Sequence, residues 1–433
     1  MPGQLSEWPN WPEFSLADAE KGDDLVDYKR AIIDKYGEEA LTQSWLKTCK
    51  ELETLTQEIS KAGTSYIPEI DYEHLLTISP EEKQKMMDVG CFKIKGVVPR
   101  KQADGWFHDL KEYVALNRAA IKGWPNETPF ILNLYFSPSQ MAARSHPNVL
   151  KTSQILNSWW HNADEAVGTP LSYADGVRIR PPGVPFYGLG PHIDAGSMAR
   201  WADPTYQSVY SSVFSGHPEQ LDNYDLSIRQ NADQAAFPGT AHSTVFRAFQ
   251  GWTAFSPAAP GEGSLMLYPN VKWSIAYILL RPFFKQPTDH SDILDASKWT
   301  FDADTPWFPG TWKDDSQFLS PSSHPHLRLK ECMVSIPPME PGDTIWWHAD
   351  MAHAVEVEHN GVHEASVAYI AATPSTEQNK KYIKQQLEGF LEGVPPKDFQ
   401  HNNCTNERKL EGFVGENGIL NEEGRRAMGF GLA

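Results

Sequence analysis

Long apolar runs are missing from this 433-residue chain: no stretch approaches the roughly 18 residues that a bilayer-spanning helix needs. The opening MPGQLSEWPNWPEF lacks the basic and apolar regions of a secretory signal. Cysteine is scarce. Cys49, Cys91, Cys332 and Cys404 are widely spaced and form no C-x-x-C pair, which argues against a disulfide framework or a thiol-rich zinc site and fits a reducing, cytoplasmic setting. Positive charge is outnumbered, 38 Lys and Arg against 56 Asp and Glu, and the formal net charge of −18 makes nucleic acid or an anionic membrane a poor partner. There is no G-x-x-x-x-G-K-[ST] phosphate loop and no G-x-S-x-G nucleophile elbow. A small molecule is the expected ligand.

What is present is ample material for a core, 40% apolar and 12% aromatic residues. Residues 15–62 carry apolar residues three and four apart and end at Gly63, which predicts helix. A second helical pattern follows around RKQADGWFHDLKEYVALNRAA. From about 172 the pattern changes to short β-rich, aromatic-rich segments separated by Gly and Pro: 172–194, 243–255, 263–271, 274–284, 342–358 and 364–373. Such a series predicts a mainly β core, a barrel or sandwich. The expected organisation is a largely helical region 1–170 packing on the core, a β core 171–374, and a C-terminal helix and tail 375–433, together one compact unit. Insertions near 203–236, helical, and 285–335, irregular, interrupt the core.

The chemistry rests on His-x-Asp, which occurs three times although composition alone predicts about one: His192-Ile193-Asp194, His290-Ser291-Asp292 and His348-Ala349-Asp350. On a strand, residues i and i+2 face the same side, so either end of such a tripeptide can present two ligands together. A non-haem iron site needs two histidines and one carboxylate on one face of the metal. His290 and Asp292 lie in a polar loop and read as solvated capping residues. His192 and Asp194 follow the glycine-rich YGLGP, with Gly188, Gly190 and Gly196 able to bring backbone close to a metal. His353, in HADMAHAVEVE, is a partner from another strand, whereas a local set of His348, Asp350 and His353 stays open from the residues alone.

VRIRPPGVPFYGLGPHID, GWTAFSPAAPGEGSLMLYP and PGDTIWWHADMAHAVE together resemble the metal-binding hairpins of Fe(II)/2-oxoglutarate-dependent dioxygenases, over about residues 172–373. More narrowly, the order HIDAGSMARW, YILLRPFF, GDTIWWHADMAHAV resembles the YbiU-like group, which includes fungal amino-acid oxygenases, an aziridine-forming one among them. The resemblance implies a double-stranded β-helix (jelly-roll, cupin-like) core with flanking helices. It implies Fe(II) held by His192, Asp194 and His353, with 2-oxoglutarate and O2 as cosubstrates. The implied reaction oxidises a C–H bond of an amino acid or similar small molecule, by hydroxylation or oxidative cyclisation, and yields succinate and CO2.

One feature departs from that family. An Arg-x-Ser pair often clamps the far carboxylate of 2-oxoglutarate, but here the matching stretch is Glu364-Ala365-Ser366. Ser366 survives and the arginine does not. Arg247 and Arg281, each within an apolar run, are the expected replacements, since a carboxylate in an apolar site calls for a bidentate cation. Arg200, just past the metal motif, is the candidate for a substrate carboxylate. Glu364 also keeps two other readings alive: a cupin-like metal or ligand-binding protein, and a zinc-dependent hydrolase or isomerase, both without 2-oxoglutarate.

Overall fold

The apolar spacing of residues 24–62 folds as helix. In the computed structural model, which describes residues 3–15, 18, 22, 24–162, 168–194, 196–237, 243–402 and 404–432, helices run over Asp24–Tyr36 and Glu38–Ala62. They are broken at Gly37, whose φ of 87° favours glycine. The helix expected from residue 15 falls in part on positions outside the described residues (16, 17, 19–21 and 23). The longer helix buries Leu41, Trp45, Leu52, Leu55 and Ile59, one face of a 3.6-residue period. Helix Pro80–Val89 starts in a capping box between Ser79 and Glu82, and Arg100–Leu116 follows.

The strands, in chain order, begin with β1 (Glu69–Asp71), β2 (Cys91–Lys95), β3 (Gly123–Trp124), β4 (Ile131–Leu132), β5 (Pro170–Leu171) and β6 (Val177–Arg180). Next come β7 (His192–Ile193), β8 (Phe249–Ala254), β9 (Leu265–Leu267), β10 (Phe284–Lys285), β11 (Thr300–Phe301) and β12 (Gln317–Phe318). The last four are β13 (Val334–Ser335), β14 (Thr344–His348), β15 (His353–Val355) and β16 (Ala365–Pro374). A nine-stranded sheet has the order β1-β2-β14-β8-β16-β6-β4-β3, with β5 on the far end of β16. A five-stranded sheet has the order β12-β7-β15-β9-β13, and β10 pairs with β11 apart from both. One apolar cluster contains Trp252, Ile345, Trp347 and Val367 of the large sheet together with Ile193, Leu265, Leu267 and Val355 of the small one, so the two sheets share a core.

Three expectations need correction. The fold is mixed rather than mainly β, with long helices covering the sheets. The run SIAYILLRPFF, read as β-rich, is helix: Val271–Leu280 is capped by the Asn270 side chain, which accepts from Trp273 N–H at 3.0 Å. It is apolar all round because it is buried all round, and a fully buried helix and a buried strand share the same composition. The region 1–170 also does more than pack on the core. Its strand β2 lies between β1 and β14, directly inside the large sheet. Of the insertions, 203–236 forms short helices capped by Asp203 and Asp225. The 285–335 insertion supplies β12, which pairs with β7, Phe318 opposite His192. The C-terminal helix is Glu377–Glu392, capped by Thr376. No helix of the described residues is long and apolar enough to cross a membrane.

Candidate metal centre

β7 and β15 are neighbours in the small sheet, and His192 lies directly opposite His353 in their register. Cross-strand partners share a face, so the two rings meet with centroids 4.3 Å apart. Asp194, two residues beyond His192, falls on that same side. Each histidine is oriented by its own backbone. His192 Nδ1 lies 2.7 Å from the Gly190 carbonyl and His353 Nδ1 lies 3.0 Å from the Met351 carbonyl. A carbonyl can only accept, so Nδ1 carries the proton and Nε2 keeps its lone pair, the arrangement that makes imidazole a metal ligand. Both Nε2 atoms turn to one carboxylate oxygen, Asp194 Oδ1, at 3.1 Å and 3.5 Å. Ligand atoms of all three residues lie within 4.8 Å of one another. With a proton on either Nε2, His353 and His192 would outweigh the burial that raises the Asp194 carboxyl and hold it well below the usual range, so a positive charge at that point is favoured.

The trio opens into a cleft of about 660 Å³ between the sheets, walled by Trp252, Trp347 and Tyr369 and by the polar side chains of Asp175, Arg247 and Gln250. Two neutral imidazoles and one carboxylate with an open side fit a divalent metal that keeps positions free for ligands. The other grouping of possible ligands among the described residues, His108, Asp109 and Glu112, is exposed along one helix, and its His108–Glu112 pair is an ordinary i,i+4 contact.

The competing tripeptides are spent elsewhere. His348 has both nitrogens occupied: Nδ1 accepts from Asp350 N–H at 3.0 Å and Nε2 donates to the Asn223 carbonyl at 3.0 Å. Its ring stacks on Trp160, and burial pushes its pKa down to about 4. Asp350 receives Arg229 through two bonds, of 2.5 Å and 2.7 Å, and also pairs with Arg200 at 3.5 Å. His290 is exposed in a short turn capped by Asp289.

The glycines before the motif are there for another reason than close approach to a metal. A Cβ at Gly188 would lie 2.0 Å from Trp124, and one at Gly190 would lie 3.0 Å from Trp11. They make room for two indoles that roof the strand. Gly196, at a φ of 91°, would clash with Tyr206 and the Arg200 guanidinium.

Residues 22–430 match the Gig2-like family model. The chain belongs to the Gig2-like family. The uncharacterised Escherichia coli K12 protein YbiU is 33% identical over 372 residues, which span 81% of this chain and 82% of that protein. The crystal structure of GlcNAc Inducible Gene 2 from Candida albicans aligns with a TM-score of 0.83 at 29% identity, over 97% of this chain and 90% of that one. A candidate oxidoreductase from Salmonella typhimurium LT2 aligns with a TM-score of 0.79 at 29% identity, over 99% of this chain and all of that one.

In this Gig2-like chain the remaining sequence-predicted residues scatter. Arg281 is not brought to the cleft. It ends the buried helix Val271–Leu280 and donates to the carbonyls of Ser323 at 2.7 Å and Phe284 at 2.6 Å, between Trp299 and Trp307. Arg200 is likewise taken up by the Asp350 network. Ser366 is buried in β16 and donates its hydroxyl to the Arg178 carbonyl at 2.8 Å. Glu364 does not face the cleft; it pairs with Lys111 at 3.2 Å on the surface. Arg247 is in the cleft, but paired with carboxylates: its Nη2 is 3.4 Å from Asp194 Oδ2 and its Nη1 is 3.7 Å from Asp175. Arg178 on β6, which the sequence did not single out, stacks 4.4 Å over the cleft residue Trp252, with Nε and Nη1 buried and unpartnered. VRIRPPG already showed an arginine alternating with apolar residues, a signal of an inward-facing cation.

Proposed function

We propose that this Gig2-like protein is a non-haem Fe(II)- and 2-oxoglutarate-dependent oxygenase that oxidises a C–H bond of a small molecule. The observation that carries the reading is the convergence of His192 Nε2, His353 Nε2 and Asp194 Oδ1 at the floor of an open cleft. Supporting it are the motif order of the three hairpins and the pairing of a small and a large sheet around the cleft, which we read as the two faces of a double-stranded β-helix. Bound there, Fe(II) with 2-oxoglutarate and O2 would supply the oxidising power for C–H cleavage, releasing succinate and CO2.

The chain's own part is ligation, orientation and exclusion of water. His192, Asp194 and His353 hold the metal from one side and leave the cleft side open. Arg178 takes the anchoring role that an Arg-x-Ser arginine fills in related enzymes: a buried guanidinium with two unpartnered nitrogens calls for an anion, and 2-oxoglutarate's far carboxylate is a fitting one. Trp252, Trp347 and Tyr369 keep that half of the cleft dry. An amino acid is the proposed substrate class, hydroxylation or oxidative cyclisation the proposed outcome.

The test is turnover. Anaerobically purified protein given Fe(II), 2-oxoglutarate and O2 should form succinate, and His192→Ala should not; equal succinate from both proteins, or none from either across an amino-acid panel, would refute the reading. Arg178→Met should raise the KM for 2-oxoglutarate about 10- to 100-fold, the scale of losing a charge-assisted pair, with Fe(II) affinity unchanged.

A further inference from the structure

The two oxygens of Asp194 have different neighbours. Oδ1 faces both histidines, at 3.1 Å and 3.5 Å, while Oδ2 faces Arg247 Nη2 at 3.4 Å. Arg247 is itself held from three sides. Its Nη1 reaches the Asp175 carboxylate at 3.7 Å, its guanidinium lies 5.7 Å from the Tyr173 ring centroid, and the backbone after it enters β8. Asp175 is fixed in turn, since its carboxylate accepts from Gly176 N–H at 2.7 Å. Asp194 extends from the small sheet, whereas Arg247 and Asp175 each lie two residues before a strand of the large one, β8 and β6. The carboxylate–guanidinium–carboxylate chain therefore crosses the cleft.

We propose that Arg247, braced by Asp175, is a positioning residue that holds the outer oxygen of Asp194, so that this carboxylate offers a metal one oxygen and not two. The inference rests on the metal-centre reading above and gives Arg247 a role other than cosubstrate anchoring. Its physical basis is competition. A carboxylate with both oxygens free can rotate to chelate, and a second oxygen on the metal would occupy a position that exogenous ligands need. A guanidinium on Oδ2 removes that option and turns Oδ1 toward the histidines. Partners of ligands tune metal affinity in this way, with typical losses of about 10- to 100-fold when they are removed.

The experiment uses the full-length protein with Co(II) as probe, read by ligand-field absorption, which reports coordination number, and by titrated affinity. Arg247→Ala should bind Co(II) about 10-fold or more weakly and with a shifted spectrum of higher coordination. Arg247→Lys keeps the charge but lacks the fork that spans two carboxylates, so it should recover affinity only in part. Asp175→Asn, which keeps the volume, should change the spectrum in the same direction and by less. An Arg247→Ala protein with wild-type affinity and spectrum, full recovery by Arg247→Lys, or an unchanged Asp175→Asn spectrum would each overturn the proposal. Absence of Co(II) binding by the wild type, or equal binding by His192→Ala, would instead overturn the metal centre itself and this proposal with it.

Discussion

His192-Ile193-Asp194 and His348-Ala349-Asp350 are the same motif in two opposite conditions. Both are largely buried and both histidines have Nδ1 engaged by backbone, but with opposite polarity. His192 donates from Nδ1 to a carbonyl and keeps a lone pair at Nε2, whereas His348 accepts at Nδ1 and spends its Nε2 proton on Asn223. Asp194 has one oxygen turned toward two imidazoles, while Asp350 is saturated by Arg229, Arg200 and Tyr210. A ligand needs an unspent lone pair facing open space, and a buttress needs none. What separates the two copies is which backbone group lies next to the ring.

The sharpest way to break this comparison is Asp350→Ala, which strands two buried guanidinium groups and should cost about 3–5 kcal/mol in urea unfolding. Asp194→Ala should cost far less. Equal losses would mean that the two carboxylates are alike after all. Acid should separate the motifs next. The pKa of His348 falls from 6.5 unfolded to about 4 folded, so the folded state binds the proton less readily. Its contribution is fully present above pH 6.5 and is lost as the pH falls toward 4, reaching on the order of 3 kcal/mol. His326, also lowered to about 4, shares that window, so the measurement is the difference between wild type and His348→Gln, whose acid limb should be the shallower.

Metal binding sharpens the contrast in the other direction. His192→Ala and His353→Ala should each weaken Co(II) affinity about 100-fold or more, more than the loss of a supporting group, while a folded His348→Gln should bind as the wild type does. Loss of binding on replacing His348 alone would restore the local His348–Asp350–His353 set. The smallest effect belongs to Glu364→Arg, which recreates the Arg-x-Ser spacing. Because Glu364 is on the surface beside Lys111, the change should leave the 2-oxoglutarate KM unaltered and shift stability by about 0.5 kcal/mol or less.

Much of the candidate site was legible in the chain because its residues are few and tied to strand periodicity. The i, i+2 pair at His192 and Asp194 needs only an extended backbone to face one way, and a distant histidine in an alternating run is a natural partner. The cations were harder to read. Arg281, Arg200 and Arg247 all sit in apolar surroundings in the sequence, yet one caps a buried helix on carbonyls, one joins Asp350 and one faces Asp194. An arginine's side chain reaches far enough that its partner is set by whichever element packs across from it, and local pattern carries no record of that. The same holds for SIAYILLRPFF, whose burial on every side erased the periodicity that distinguishes helix from strand.

By itself, then, the sequence determined the helical start, the series of short strands, the pairing of His192 with Asp194 at one strand end and the excess of acidic residues, because each follows from local spacing or composition. The tertiary structure alone decided that His353 pairs in register with His192, that Arg178 stacks beside the cleft while Glu364 stays at the surface, and that one His-x-Asp faces open space while its twin is locked. Those outcomes depend on strand register and on which backbone carbonyl lies beside which imidazole, quantities fixed between segments distant in the chain.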